Sequence, residues 1–76
     1  GIGPKTACWL GAIGIESEAG LRALGAAAAY RQLKQHEPQA VTLNALWAMH
    51  GALAGIPWTS IPPDDKARLR HEVRDG

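Results

Sequence analysis

The sequence predicts an all-α domain, and three observations predict it. Apolar residues recur at helical spacing, and no strand-like alternation runs along the chain. Prolines and glycines fall where short helices would open and close, proline inside the start and glycine just past the end. At 76 residues, 46% of them hydrophobic and 20% charged, the chain is one globular domain, small enough to depend on a well-packed core.

A first short helix runs from about Pro4 to Ala12, with Ala7 and Leu10 directed inward and Ile13-Gly14-Ile15 as its exit. Pro4 suits a first helical position, where its missing N–H costs nothing. Ser17 is the expected N-cap of a second helix, with Glu18 at the positive end of the dipole. That helix carries Leu21 and Leu24 and stops at Gly25. A third covers roughly Ala26 to His36, with Ala26, Ala29, Tyr30 and Leu33 on one face and Arg31 and Lys34 on the other. Pro38 closes it.

From Pro38 to Pro63 no acidic or basic residue appears apart from His50. Thr42 is placed to cap a fourth helix holding Leu43, Leu46, Trp47, Leu53 and Ala54, with Gly55 at its end. A helix without charges on any face is usually central, so this one is expected to be the hub. The segment Ile56-Pro57-Trp58-Thr59-Ser60-Ile61 reads as an ordered loop with Trp58 and Ile61 folded back as plugs. Pro62-Pro63-Asp64-Asp65 then opens a fifth helix, acids in its first turn, with Asp64–Arg68 and Arg68–Glu72 at ion-pair spacing. The whole of residues 1–76 is one unit without repeats or linkers.

Composition narrows the function. A formal net charge of +1 is too small for a domain that grips nucleic acid by electrostatics, so any DNA contact should be local and weak. A single cysteine, Cys8, excludes an internal disulfide and is expected in the core. No run is long and apolar enough to cross a membrane and no signal peptide appears, which makes the cytoplasm the simplest location. His36, His50 and His71 stand far apart with no ligand spacing around them, so no metal is expected. Nothing supports a catalytic nucleophile, a paired-carboxylate site or a nucleotide-binding loop. An enzyme, a cofactor and a small-molecule substrate are all unsupported.

The opening Gly1-Ile2-Gly3-Pro4-Lys5-Thr6-Ala7 carries the clearest functional signal. Glycines on either side of Ile2 allow backbone conformations closed to other residues, and the helix behind Pro4 presents free N–H groups beside Lys5 and Thr6. A phosphate fits such a junction. The candidate phosphate-binding groups are therefore the N–H groups near Gly3, Lys5 and Thr6, with Lys5 adding charge; a tight turn between packed helices explains the same residues without a ligand. Arg68, Arg70 and Arg74 are offset by Asp64, Asp65, Glu72 and Asp75 and read as a solvated, ion-paired face. Trp9, Trp47 and Trp58 read as core, with Trp9 the one placed to stack on a base or a partner. A second candidate surface lies around Trp58, Ile61 and the end of the fourth helix, where a protein partner or a second copy would bind.

Two nested resemblances follow from these residues. Gly1-Ile2-Gly3-Pro4-Lys5-Thr6-Ala7, then Leu10 and Ile13-Gly14-Ile15, resemble the second half of a helix–hairpin–helix motif. The wider pattern adds Trp9-Leu10, Leu21-Arg22-Ala23-Leu24-Gly25-Ala26 and Ala29-Tyr30-Arg31. It continues with Leu43-Asn44-Ala45-Leu46, Gly51-Ala52-Leu53, Trp58, Pro62 and Lys66-Ala67-Arg68-Leu69. In that order these resemble the C-terminal domain of the TfoX/Sxy family of bacterial competence regulators, over nearly the whole chain. The resemblance implies a compact five-helix domain related to helix–hairpin–helix and SAM-like folds, a role in regulating DNA uptake and competence genes, and no catalysis. Phosphate contact carries over from it to Gly1, Gly3, Lys5 and Thr6 alone. Full-length members also carry an amino-terminal domain, so the resemblance assigns these residues only part of a regulator's activity.

Overall fold

A computed structural model describes residues 4–74, and over them the chain forms five α-helices and one short 3-10 turn. The helices are α1 (Pro4–Ala12), α2 (Glu18–Leu24), α3 (Ala26–His36), α4 (Leu43–Ala54) and α5 (Pro63–Arg74), with the 3-10 turn at Trp58–Ser60 before α5. No strand occurs among the described residues. The all-α prediction and all five helices stand.

The ends of the helices follow from local chemistry. At the close of α1, Gly14 takes φ 91°, its N–H bonds the carbonyl of Gly11 at 3.1 Å, and the N–H of Ile15 reaches back to Leu10 at 2.8 Å. This pair of backward bonds is a Schellman cap, and the isoleucine after the glycine tucks against the core. The close of α4 is a variant of it, with Gly55 left-handed at φ 74° and the N–H groups of Gly55 and Ile56 both returned to the Gly51 carbonyl, the latter at 3.0 Å. Ser17 caps α2 as expected, its hydroxyl accepting from the N–H of Gly20 at 3.1 Å. Thr42 stands at the cap position of α4, but its backbone carbonyl rather than its hydroxyl takes the bond, from Ala45 at 2.9 Å.

The core joins Leu10, Leu21, Ala26, Ala29, Tyr30, Leu33, Val41, Ala45, Leu46, Trp47, Met49, Ile61 and Leu69. The inward stripe predicted for α3 is the observed one. The hub, however, is α3 rather than α4: α3 packs against α1, α2, α4 and α5. Ala26 and Ala29 explain this, because small side chains on the buried stripe let neighbouring helices approach while Tyr30 and Leu33 fill the space between them. Helix α4 is still deeply covered, with Ala45, Leu46, Trp47, Met49 and Gly51 all buried. Leu43 at its start is not, being among the exposed large apolar residues.

Four further expectations are corrected. On α1 the inward residues are Thr6 and Leu10, one turn apart, and Ala7 is exposed. Cys8 is exposed as well, because positions 6 and 10 leave residue 8 on the far side of the helix. Trp58 is 48% exposed instead of plugging the core, whereas Ile61 is buried as expected. On α5, Arg68 pairs with Asp65 at 3.4 Å, one turn back at the three-residue spacing, in place of Asp64 or Glu72.

Two long side chains stitch elements together. The Lys34 ammonium donates to the carbonyl of Val41 at 2.7 Å, tying α3 to the loop that leads into α4. Arg22 donates to the carbonyl of Leu53 at 3.3 Å, across α2 and the end of α4, and meets Glu18 at 3.7 Å. Lys34 lies on the exposed face of α3 as its position predicts, yet its charged end serves a backbone carbonyl.

Candidate functional site

The candidate phosphate site lies at the start of α1. Gly1 and Gly3 fall outside the described residues, so the geometry begins at Pro4, the first helical residue. Lys5 follows it, exposed, in a first turn that holds no acidic residue to neutralise it. Its ammonium stands 5.6 Å from the centre of the Trp9 ring, one helical turn on, within the range of a cation–π contact. Trp9 itself is half-buried and packs its other parts against the core. Thr6 is only 9% exposed, so its side chain points into the fold and only its backbone remains for a ligand.

Three features follow from this arrangement. The first turn combines a positive dipole end with one ammonium, a setting that favours an anion. The Trp9 ring holds the Lys5 side chain on one flank of α1, which reduces the rotamer freedom lost on binding. The number of cationic contacts at this point is small, in keeping with the low net charge.

The second candidate surface divides in two. Ile61 is 4% exposed and part of the core, so it offers no surface. Trp58 presents about half of itself to solvent from the 3-10 turn, next to exposed Pro57 and Thr59.

The three histidines are not brought to one place. His36 lies beside Ile13, Gln32 and Gln35. His50 and His71 line a common cleft with Arg31 and Glu72 between α3, α4 and α5. Among the described residues no three His, Cys, Asp or Glu side chains converge as a metal site would require. Tyr30 is the residue whose titration is displaced: burial raises its phenol above the usual tyrosine value. It lies in the core and touches no candidate site.

Sequence reasoning missed one feature altogether. A groove of about 530 Å³ runs between α1 and the start of α2, floored by Leu10, Ile15 and Leu21. Its signal was present in part, since Gly11 is a glycine inside a helix and neither turns nor caps anything. The other wall comes from Ala52 on α4, and no local pattern connects that residue with α1.

Among the described residues no helix is long and apolar enough to cross a membrane. Compared with known proteins, the chain finds no match among the curated proteins or the solved structures. The family model of the TfoX C-terminal domain, by contrast, matches residues 1–73. The match takes in the opening loop, all the core positions and almost all of α5, and so this chain belongs to the TfoX C-terminal domain family.

Proposed function

We propose that this domain is a non-enzymatic regulatory module of the competence type, acting in the cytoplasm, that holds the DNA backbone weakly and without sequence preference. The contact is made by the loop of Gly1, Gly3, Lys5 and Thr6. Lys5 carries this reading: it is exposed in the first turn of α1, has no acid beside it in that turn, and is held in place by Trp9. Membership of the family supports the regulatory role. Thr6 contributes its N–H rather than its buried hydroxyl. Backbone N–H groups and one ammonium recognise phosphate and carry no base information.

The test is fluorescence anisotropy of a generic DNA duplex with the parent protein and Lys5→Ala, at low and at physiological salt. The expected affinity lies in the non-specific range, about 10⁻⁴ to 10⁻⁶ M. Lys5→Ala should weaken it and lower the salt slope by about one. Equal binding by the variant, or no binding at low salt, removes this reading.

One observation favours a second reading. Trp58 is a large apolar side chain half open to solvent, and tryptophan is among the residue types that anchor partner interfaces. On this reading the domain docks a transcription factor or a second copy of itself through Trp58. Sedimentation of the parent and Trp58→Ser over a range of concentrations tests the homodimer; an unchanged monomer in both discards it.

A further inference from the structure

We propose that the groove between α1 and α2 receives an amphipathic helix of a protein partner, one that carries lysine or arginine beside its apolar face. The site is independent of the phosphate loop and of Trp58, and the argument rests on its floor, its rim and the shape of α1.

The floor is apolar. Leu10, Ile15 and Leu21 form the base, with Ala7 and Gly11 along one wall and Ala52 at the other. Ala7 and Gly11 are one helical turn apart, so they make a low ridge over which another backbone can come close. A Cβ built on Gly11 meets nothing within 4 Å, which shows how much room stands above it.

A small polar ligand is the wrong occupant. Such sites place a few polar groups inside the cavity to orient the guest. Here the polar lining residues are Glu16, Ser17 and Glu18, all exposed at the edge, and the Ser17 hydroxyl already caps α2. Among the described residues no buried side-chain polar atom is left without a partner to point at a ligand.

The rim gives the sign of the partner. Two carboxylates line the groove and no cation does. Glu16 forms no ion pair among the described residues. Glu18 meets Arg22 at 3.7 Å, but both side chains are about 60% exposed, and such a surface pair is weak enough for a partner's cation to compete. An apolar floor with an acidic border is complementary to a helix with apolar anchors and basic flanks.

The geometry of α1 also separates the two surfaces. Lys5 and Trp9 lie on one flank, Ala7 and Gly11 on the other, with Thr6 and Leu10 buried between them. A helix in the groove leaves Lys5 uncovered.

The experiment is a displayed library of amphipathic helical peptides, with lysine or glutamate at the positions flanking the apolar face, selected on the intact protein. The expected result is enrichment of basic flanks. Selected peptides, made synthetically and labelled, should bind Gly11→Trp at least about tenfold more weakly, because the indole fills the groove. Glu16→Lys should weaken them by about fivefold. Gly11→Ala, which leaves most of the groove open, should keep the parent's affinity and shows that loss of glycine is not the cause. Circular dichroism of each variant establishes that it is folded. No enrichment, enrichment of acidic flanks, or equal binding to Gly11→Trp and to the parent overturns the proposal. Self-association of the parent, abolished in Gly11→Trp, overturns it in favour of a second copy as the occupant.

Discussion

Ile56 passes so close to Gly51 that a Cβ at residue 51 would lie 2.8 Å from the Ile56 carbonyl oxygen and 3.2 Å from the backbone of Trp58. The glycine is buried in the last turn of α4, and its own carbonyl accepts the N–H of Ile56 at 3.0 Å. The chain leaving α4 thus folds back directly onto the helix it has left.

This contact decides the sign of a substitution. In an open helix, glycine to alanine gains up to about 1 kcal/mol through propensity. At Gly51 the obstacles are backbone atoms that no rotamer change can move, so Gly51→Ala should lose about 1–3 kcal/mol. Gly11→Ala on α1, with open space above it, should gain stability instead. Urea denaturation of both variants checks the pair, and a stabilised Gly51→Ala would refute the close approach.

The tryptophans separate by burial. Trp47 is 7% exposed, with the Lys66 ammonium 5.5 Å above its ring, and Trp47→Ala should cost about 3–5 kcal/mol. Trp58 is 48% exposed, so Trp58→Ala should cost less than about 2 kcal/mol. Thermal denaturation of the two variants compares them, and similar losses would mean that Trp58 is packed more deeply than its exposure indicates.

Lys34 acts through its tip. Replacing it with methionine keeps the apolar stem and removes the donor to Val41, and the expected loss is about 1 kcal/mol. The interaction pairs a charge with a carbonyl dipole rather than with a second charge, so the difference between Lys34→Met and the parent should persist at high salt. Denaturation curves at two ionic strengths measure it; unchanged stability would show the bond to be idle.

Tyr30 sets an alkaline limit. Burial raises its pKa above about 10, the value it regains on unfolding. Between those two values the folded chain keeps the phenolic proton and the unfolded chain releases it. Stability is therefore whole below the unfolded value and declines as pH rises through the folded one. The chain has a single tyrosine, so tyrosinate absorbance follows this group alone. Tyr30→Phe should flatten the loss of stability at high pH, and an identical slope in both proteins would count against the assignment.

The helices were legible because their boundaries are local. Ser17, Gly25, Pro38, Gly55 and Pro63 act within one turn of where they stand, and a sequence displays such effects directly. Facing was less legible on α1, whose alanines and glycine give a weak apolar signal, so that Thr6 and not Ala7 turned inward. Trp58 and Cys8 were misplaced because residue type describes an average environment, while burial is decided by what arrives from elsewhere in the chain. The bond from Lys34 to Val41, the bond from Arg22 to Leu53 and the groove wall at Ala52 belong to that second kind. Of the candidate site, the exposed lysine at the head of α1 was readable, and its partnership with Trp9 follows from one-turn spacing once the helix is granted.

Gly25 ends α2 and begins α3 with one pair of torsion angles, φ 93° and ψ 149°. Its N–H closes the last turn of α2 on Leu21 at 2.7 Å, and its carbonyl receives the first bond of α3, from Ala29 at 3.0 Å. Seven residues are too few for α2 to persist as a separate helix in water. Spliced to α3 through one residue, it shares that helix's fate, since opening the joint releases a bond on each side of it. The amide protons of Leu21 to Leu33 should then exchange with solvent as one cooperative block, and the bend that divides the two helices on paper would be the place where they are thermodynamically joined.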